Sequence, residues 1–221
     1  MNRKILLAMV GAIASIGSAV AAPPTFTLSA DKKIVTANVA PGVFTPPASK
    51  AGLTSIFNNF ATLDPKGVYM AGEGLTIGGP KSIVGQIWIA AAFTPTTNAM
   101  VAEVDVAAGY VLGAKAAVDI NIYADAGGLP GQTLWSRRAN LPDNGPCCGL
   151  VAVRDKDGLQ LTAGTQYWIG LTTLRTGTDT FGAWDFNVAD QVDTGTVAEN
   201  QGSGWVAQTS LPNVAFGVYS K

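Results

Sequence analysis

Histidine is missing from all 221 residues. Its absence removes Ser-His-Asp and Cys-His catalysis, the commonest general base near neutral pH, and most zinc sites. An enzyme built on this chain would have to run on carboxylates, Lys or Tyr. Charge is scarce as well: Asp, Glu, Lys and Arg make up 13% of the chain, and the formal net charge is −1. So small a balance gives no electrostatic reason to expect nucleic acid or an anionic membrane surface as partner. Long apolar runs are lacking after the first residues. The best, residues 83–93, is broken by Gly85 and Gln86 and is about half the length a spanning helix needs. The many short segments also lack the continuous apolar outer band of a membrane barrel. Helical periodicity of useful length is absent beyond the N-terminal segment.

What is present begins with Arg3 and Lys4, then an apolar segment from Ile5 to about Val20, then Ser18-Ala-Val-Ala-Ala22 before Pro23. This charged, apolar and small-residue succession is that of a secretory signal. Cleavage is expected after Ala21, because cleavage after Ala22 would leave Pro23 at the new N-terminus. Gly11, Ser15, Gly17 and Ser18 dilute the segment and argue against a membrane anchor. Loss of Arg3 and Lys4 takes the charge to about −3. The expected location is outside the cytoplasm, periplasmic or extracellular, with no membrane attachment after cleavage.

The chain divides into a signal peptide at 1–21, an extended or partly disordered lead-in at 22–52, and a compact domain at 53–221. The lead-in holds Pro41, Pro46 and Pro47, with one strand expected at 33–38. After it, apolar residues alternate. Val118, Ile120 and Ile122 oppose Asp119, Asn121 and Tyr123; Ala102, Val104 and Val106 oppose Glu103 and Asp105. Ile87, Ile89, Ala91 and Phe93 form another face, Tyr167, Ile169 and Leu171 one more, and residues 181–187 and 214–218 complete the set. This is the period-2 pattern of half-buried strands. Turn signals such as Asp125-Ala-Gly-Gly and Gln201-Gly-Ser-Gly punctuate it, the latter predicting a hairpin between 196–198 and 205–207. With 26 Gly and strands every ten or so residues, the expected fold is all-β: a jelly-roll-like β-sandwich of short antiparallel strands.

Several residues could carry chemistry. Adjacent cysteines in an oxidising compartment should pair. Their Cα atoms lie about 3.8 Å apart, below the usual disulfide range of about 4.4–6.8 Å, so a Cys147–Cys148 bridge is a strained vicinal ring. Two thiols, intermolecular bridges, or a redox or ligand contact are the alternatives. Glu103 and Asp105 share a strand face about 6.6 Å apart, close to glycosidase carboxylate spacing, although a solvated strand face is the simpler and favoured reading. Asp119 with Asn121 has the same geometry. Asp125, and Asp155 with Asp157, open like calcium loops but lack the later ligands, and turn formation accounts for both. Calcium is the one cofactor left open. Among the five Trp residues, Trp184 shares a face with Phe186 and reads as core. Trp168 lies on the less apolar face of its strand, and Trp135 and Trp205 flank turns. These three are candidate platforms for stacking a sugar ring.

An ordered series of motifs carries a resemblance: Ser55-Ile-Phe-Asn-Asn-Phe60, Gln86-Ile-Trp-Ile-Ala-Ala-Ala-Phe-Thr-Pro95, Gly109-Tyr-Val-Leu-Gly113, Ile122-Tyr-Ala-Asp-Ala-Gly-Gly-Leu-Pro-Gly131, Cys147-Cys148, Leu161-Thr-Ala-Gly-Thr-Gln-Tyr-Trp168, Ala183-Trp184 and Gly204-Trp205. Over roughly residues 53–219 the chain resembles the bacterial exported domains named choice-of-anchor, most closely type R. The resemblance implies a jelly-roll sandwich on exported proteins and brings no catalytic residues. Many members carry a C-terminal sorting tag; none follows Val218, so release is expected rather than surface attachment. The functional expectation is a non-catalytic exported binding or adhesion module, with extracellular polysaccharide as partner. A structural matrix or envelope protein that self-associates is the alternative, and a carboxylate-based glycan-active enzyme the third reading.

Overall fold

The computed structural model describes residues 25–38, 52–60, 69–113, 117–142, 150–174, 179–187 and 196–221. Among these the regular elements are all strands: β1 (Thr25–Leu28), β2 (Ile34–Asn38), β3 (Thr54–Asn58), β4 (Met70–Gly78), β5 (Trp88–Phe93), β6 (Ala99–Met100), β7 (Glu103–Leu112), β8 (Ala117–Asp125), β9 (Pro130–Asn140), β10 (Leu150–Arg154), β11 (Gln160–Leu161), β12 (Tyr167–Thr173), β13 (Phe181–Phe186), β14 (Val197–Asn200), β15 (Trp205–Gln208) and β16 (Phe216–Ser220).

Two antiparallel sheets face each other as a β-sandwich. The first runs β1-β2-β4-β13-β7-β16-β3, with β10 on the other edge of β7; the second runs β15-β14-β5-β12-β8-β9, and β6 and β11 form a small ribbon. The pattern dictates the layers. Val104, Val106 and Ala108 of β7 and Trp184 and Phe186 of β13 point inward from the first sheet. Ile89, Ala91 and Phe93 of β5, Val118, Ile120 and Ile122 of β8, and Ile169 and Leu171 of β12 meet them from the second. Trp184 packs edge-on to Phe216 at 6.1 Å and gives its indole N–H to Ala215 O at 3.0 Å. Each such buried side chain contributes about 1.5–3 kcal/mol, and together they set the register, since a one-residue slip would turn every apolar residue outward.

The hairpin expected after Asn200 is present: β14 and β15 pair with Asn200 opposite Trp205. The lead-in contributes more than one strand. β1 and β2 form a hairpin, and β2 joins the first sheet beside β4, pairing Ile34 with Leu75. Residues 25–38 therefore already belong to the first sheet, ahead of the residue 53 at which the compact domain is expected to begin. The reason is apolar burial: Val35 is buried with Phe181, and the Phe26 ring meets Phe181 edge-on at 5.4 Å. A polar tie adds to this, with Lys33 Nζ 3.0 Å from Glu199 Oε2 and donating to Gln208 Oε1 at 2.9 Å.

Candidate functional site

On β12 the alternation places Trp168 on the outer face of the second sheet, as its polar neighbours suggest. That face is nonetheless covered. Trp168 is 0% exposed, packed among Ala90, Tyr123 and Ala198, with Leu129 and Trp205 against the cluster. Its indole N–H donates to Asp125 Oδ1 at 2.8 Å. Tyr123 from β8 lies over Gly170, where a Cβ would stand 2.8 Å from the ring, and Trp205 abuts Tyr123 edge-on at 5.8 Å. Trp168 therefore cannot stack on a ligand; of the three aromatic rings in this group, Trp205 is half-buried and the other two are buried. Asp125 is a turn anchor. It accepts from Trp168, from Gln166 Nε2 at 2.8 Å and from the Gly128 N–H at 3.2 Å, and these donors, the indole first, hold its carboxyl below the usual range.

Trp135 is also buried, at 6% exposure, within the interlayer core. Its indole N–H donates to Asp155 Oδ2, and Arg137 donates to both Asp155 oxygens at 2.8 Å while its guanidinium sits 5.4 Å from the Trp135 ring centre. The Asp157 N–H also bonds Asp155 Oδ1, at 3.2 Å, which is a turn. Trp135 is thus a structural donor rather than a platform. Among the described residues no three of His, Cys, Asp or Glu stand together as metal ligands, and Asp125 and Asp155 each serve a separate turn.

Burial works against the charge on Asp155, but the donors from Trp135, Arg137 and Asp157 outweigh it and hold the carboxyl at about 2. Because that value lies below the unfolded one of about 3.9, the contribution is complete above about pH 4 and is lost as pH falls toward 2. Urea midpoints are expected to drop by the equivalent of about 2 kcal/mol over that window, and Asp155→Asn should flatten the drop. An unchanged acid slope in Asp155→Asn would count against the assignment.

Glu103 and Asp105 do not lie on a solvated strand face. They share the outer face of the first sheet, yet they are 1% and 0% exposed. Arg154 of β10, the register partner of Glu103 on β7, donates to Glu103 Oε2 at 2.7 Å. Gly217 of β16 pairs with Asp105, and the Tyr219 hydroxyl occupies the space a Cβ on Gly217 would fill. Burial, with Asp105 and Glu103 nearby, pushes the Tyr219 phenol upward. Asp185 on the same face is also buried, and desolvation raises its carboxyl well above the ordinary value. Covered in this way, Glu103 and Asp105 do not form the open carboxylate pair that glycoside hydrolysis uses. Asn121 is likewise buried, its amide donating to Thr172 Oγ1 at 3.1 Å, whereas Asp119 stays half-exposed beside Arg138 Nε at 3.1 Å.

One cleft opens between the layers where β5 passes the β3–β16 edge, enclosing about 380 Å³. Its aromatic wall is a stack: Phe57 lies nearly parallel to Phe216 at 4.8 Å and tilted on Phe93 at 5.6 Å. Amides from four segments line it, namely Asn59, Gln166, Asn187 and Asn213, together with Thr94 and Thr196. Asn59 is clamped, giving its amide N–H to Val214 O and taking the Phe216 N–H, both at 2.8 Å. Thr196 Oγ1 donates to Asn213 Oδ1 at 2.6 Å. Asn187 is 5% exposed, and its Oδ1 is buried without a hydrogen-bond donor among the described residues.

No protein-family model matches the chain. No curated protein matches it. Among solved structures the chain is similar to the cysteine protease and lectin-like domains of Cwp84, a surface layer associated protein of Clostridium difficile. The similarity has a TM-score of 0.44 and 12% identity, and it covers 61% of this chain. The chain accounts for 32% of that chain's length.

Of the sequence-derived candidates, Trp168, Trp205 and Asp125 come together on one face, while Trp135 and Asp155 form a separate cluster. Cys147 and Cys148, with the vicinal bridge expected there, lie outside the described residues. The cleft residues have little to announce them in the sequence. Phe57-Asn-Asn59 is the visible part, an aromatic and two amides at a strand end; Asn187 follows one apolar segment and Asn213 precedes another, and both look like ordinary strand boundaries.

Proposed function

We propose that the chain is an exported, non-catalytic binding module whose outer second-sheet face takes an extracellular polysaccharide. Supporting this is the half-buried Trp205 ring, held edge-on by Tyr123 over the buried Trp168. A ring fixed by packing gives a flat apolar face without loss of side-chain freedom on binding, the property a sugar platform requires. Asn200, the residue opposite Trp205, supplies an amide beside it, although its Oδ1 already takes the Gly202 N–H at 2.8 Å. The resemblance to the choice-of-anchor domains and export belong to the same proposal.

A second reading, self-association as a matrix protein, draws on the edge strand β15. Its Trp205-Val-Ala-Gln208 carries no charge and exposes Val206 by 58%, whereas the opposite edge, β9, carries Arg137 and Arg138. Uncharged exposed edges invite pairing with another strand. Glycan-array binding of the mature protein is expected to fall at least about tenfold in Trp205→Ala, with the far-UV circular dichroism of the folded protein retained. Binding insensitive to Trp205→Ala would remove the platform reading, and concentration-dependent assembly in sedimentation without glycan binding would favour the second.

A further inference from the structure

We infer that the interlayer cleft beside Phe57 is a separate binding site for an uncharged saccharide or polyol ring. It stands apart from the Trp205 face and does not depend on it.

Three features carry the inference. The first is the wall. Phe57 is the half-exposed member of a three-ring stack whose other rings, Phe93 and Phe216, are 3% and 1% exposed. Its ring is therefore fixed from behind and offers one face to the cleft. The C–H faces of a sugar ring pack against such a surface. The second is the rim. Amides and hydroxyls supply its polar lining, and none of the described lining residues is charged. A carboxylate, phosphate or ammonium ligand would lose its hydration there with no counter-charge to replace it. Hydroxyl groups, which both donate and accept, match amides that do the same.

The third feature is Asn187. Its backbone N–H bonds Asn213 O at 2.9 Å, which fixes the residue at the end of β13, yet its buried Oδ1 has no hydrogen-bond donor among the described residues. A buried acceptor left unmet by the described residues costs free energy, so a ligand hydroxyl that donates to it gains more than an exchange of water bonds would give. The cleft volume of about 380 Å³ falls in the range of small-molecule sites.

The test uses neutral saccharides as probes: glucose, galactose, N-acetylglucosamine, maltose and cellobiose, at millimolar concentration, followed by saturation-transfer NMR and calorimetry on the mature protein. At least one is expected to bind. Asn187→Ala should weaken it about tenfold, the equivalent of one hydrogen bond, with the thermal midpoint unchanged or raised. Thr94→Arg, an exposed rim position, should abolish it by filling the opening with a charged chain. Trp205→Ala should leave it intact, which separates this site from the outer face. Absence of binding by all five probes overturns the inference. So does binding that survives both Asn187→Ala and Thr94→Arg, or binding lost in Trp205→Ala alone.

Discussion

Trp168→Ala is expected to lower folding stability by about 3–5 kcal/mol, the range for emptying a buried Trp site. The side chain is fully buried under Tyr123, Leu129 and Trp205, so truncation leaves a cavity that β-sheet neighbours cannot collapse to fill. It also strips Asp125 of its strongest donor, loosening the turn that carries Gly128 and the bond to Gln166. Trp168→Phe separates the two losses. Most of the volume stays while the N–H goes, so a cost of about 1–2 kcal/mol is expected. Urea denaturation followed by far-UV circular dichroism measures both. A Trp168→Ala cost below about 1 kcal/mol would mean that the outer cluster is not packed as described. The consequence for function is direct. Loss of glycan binding in Trp168→Ala says nothing about contact with the glycan, and Trp205 is the substitution to read.

Gly74→Ala should be nearly as damaging, at about 3 kcal/mol, the upper part of the usual overpacking range. A Cβ on Gly74 would stand 2.6 Å from the Trp184 carbonyl carbon and 2.8 Å from Asp185 Cα, with the Trp184 oxygen closer still. These are backbone atoms of the adjacent strand, so no side-chain rotation relieves the clash. The pair lies beside the register shift between Asp185 and Phe186, where β4 and β13 already depart from regular pairing. Relief requires β13 to move away from β4, which would disturb Trp184 in the core and Asn187 at the cleft. The urea midpoint should fall, and the near-UV signal of the core Trp should change with it. A cost under about 1 kcal/mol would show that the strands approach less closely there than described.

The acid behaviour adds a contrast in sign. Asp155, with its carboxyl held low, stabilises the fold above about pH 4 and loses that contribution on acidification. Asp185, with its carboxyl raised by burial, does the reverse: stability present below its unfolded value is lost as pH rises through the folded one. Both are single carboxylates on strands or strand ends, and only their surroundings distinguish them.

Alternation in the sequence was sufficient to assign the inward faces of β5, β7, β8 and β12, because a side chain on a pleated strand has only two directions. Composition and turn residues were sufficient for the all-β class and for the β14–β15 hairpin. The same alternation placed Trp168, Glu103 and Asp105 on outward faces, correctly. It could not tell an outward face from an exposed one. That was decided by residues distant in sequence: Tyr123 and Trp205 reaching over Trp168, Arg154 over Glu103, and Tyr219 filling the space above Gly217 beside Asp105. The cleft belongs wholly to tertiary structure. Phe57, Phe93, Asn187 and Phe216 come from four segments, and no local period relates them. What the sequence by itself determined is the sandwich and its inner layer, since burying apolar area depends on a two-residue repeat. Which outer side chains remain open to a ligand depended on how neighbouring strands and turns fold over that layer, a matter of long-range packing that no local pattern encodes.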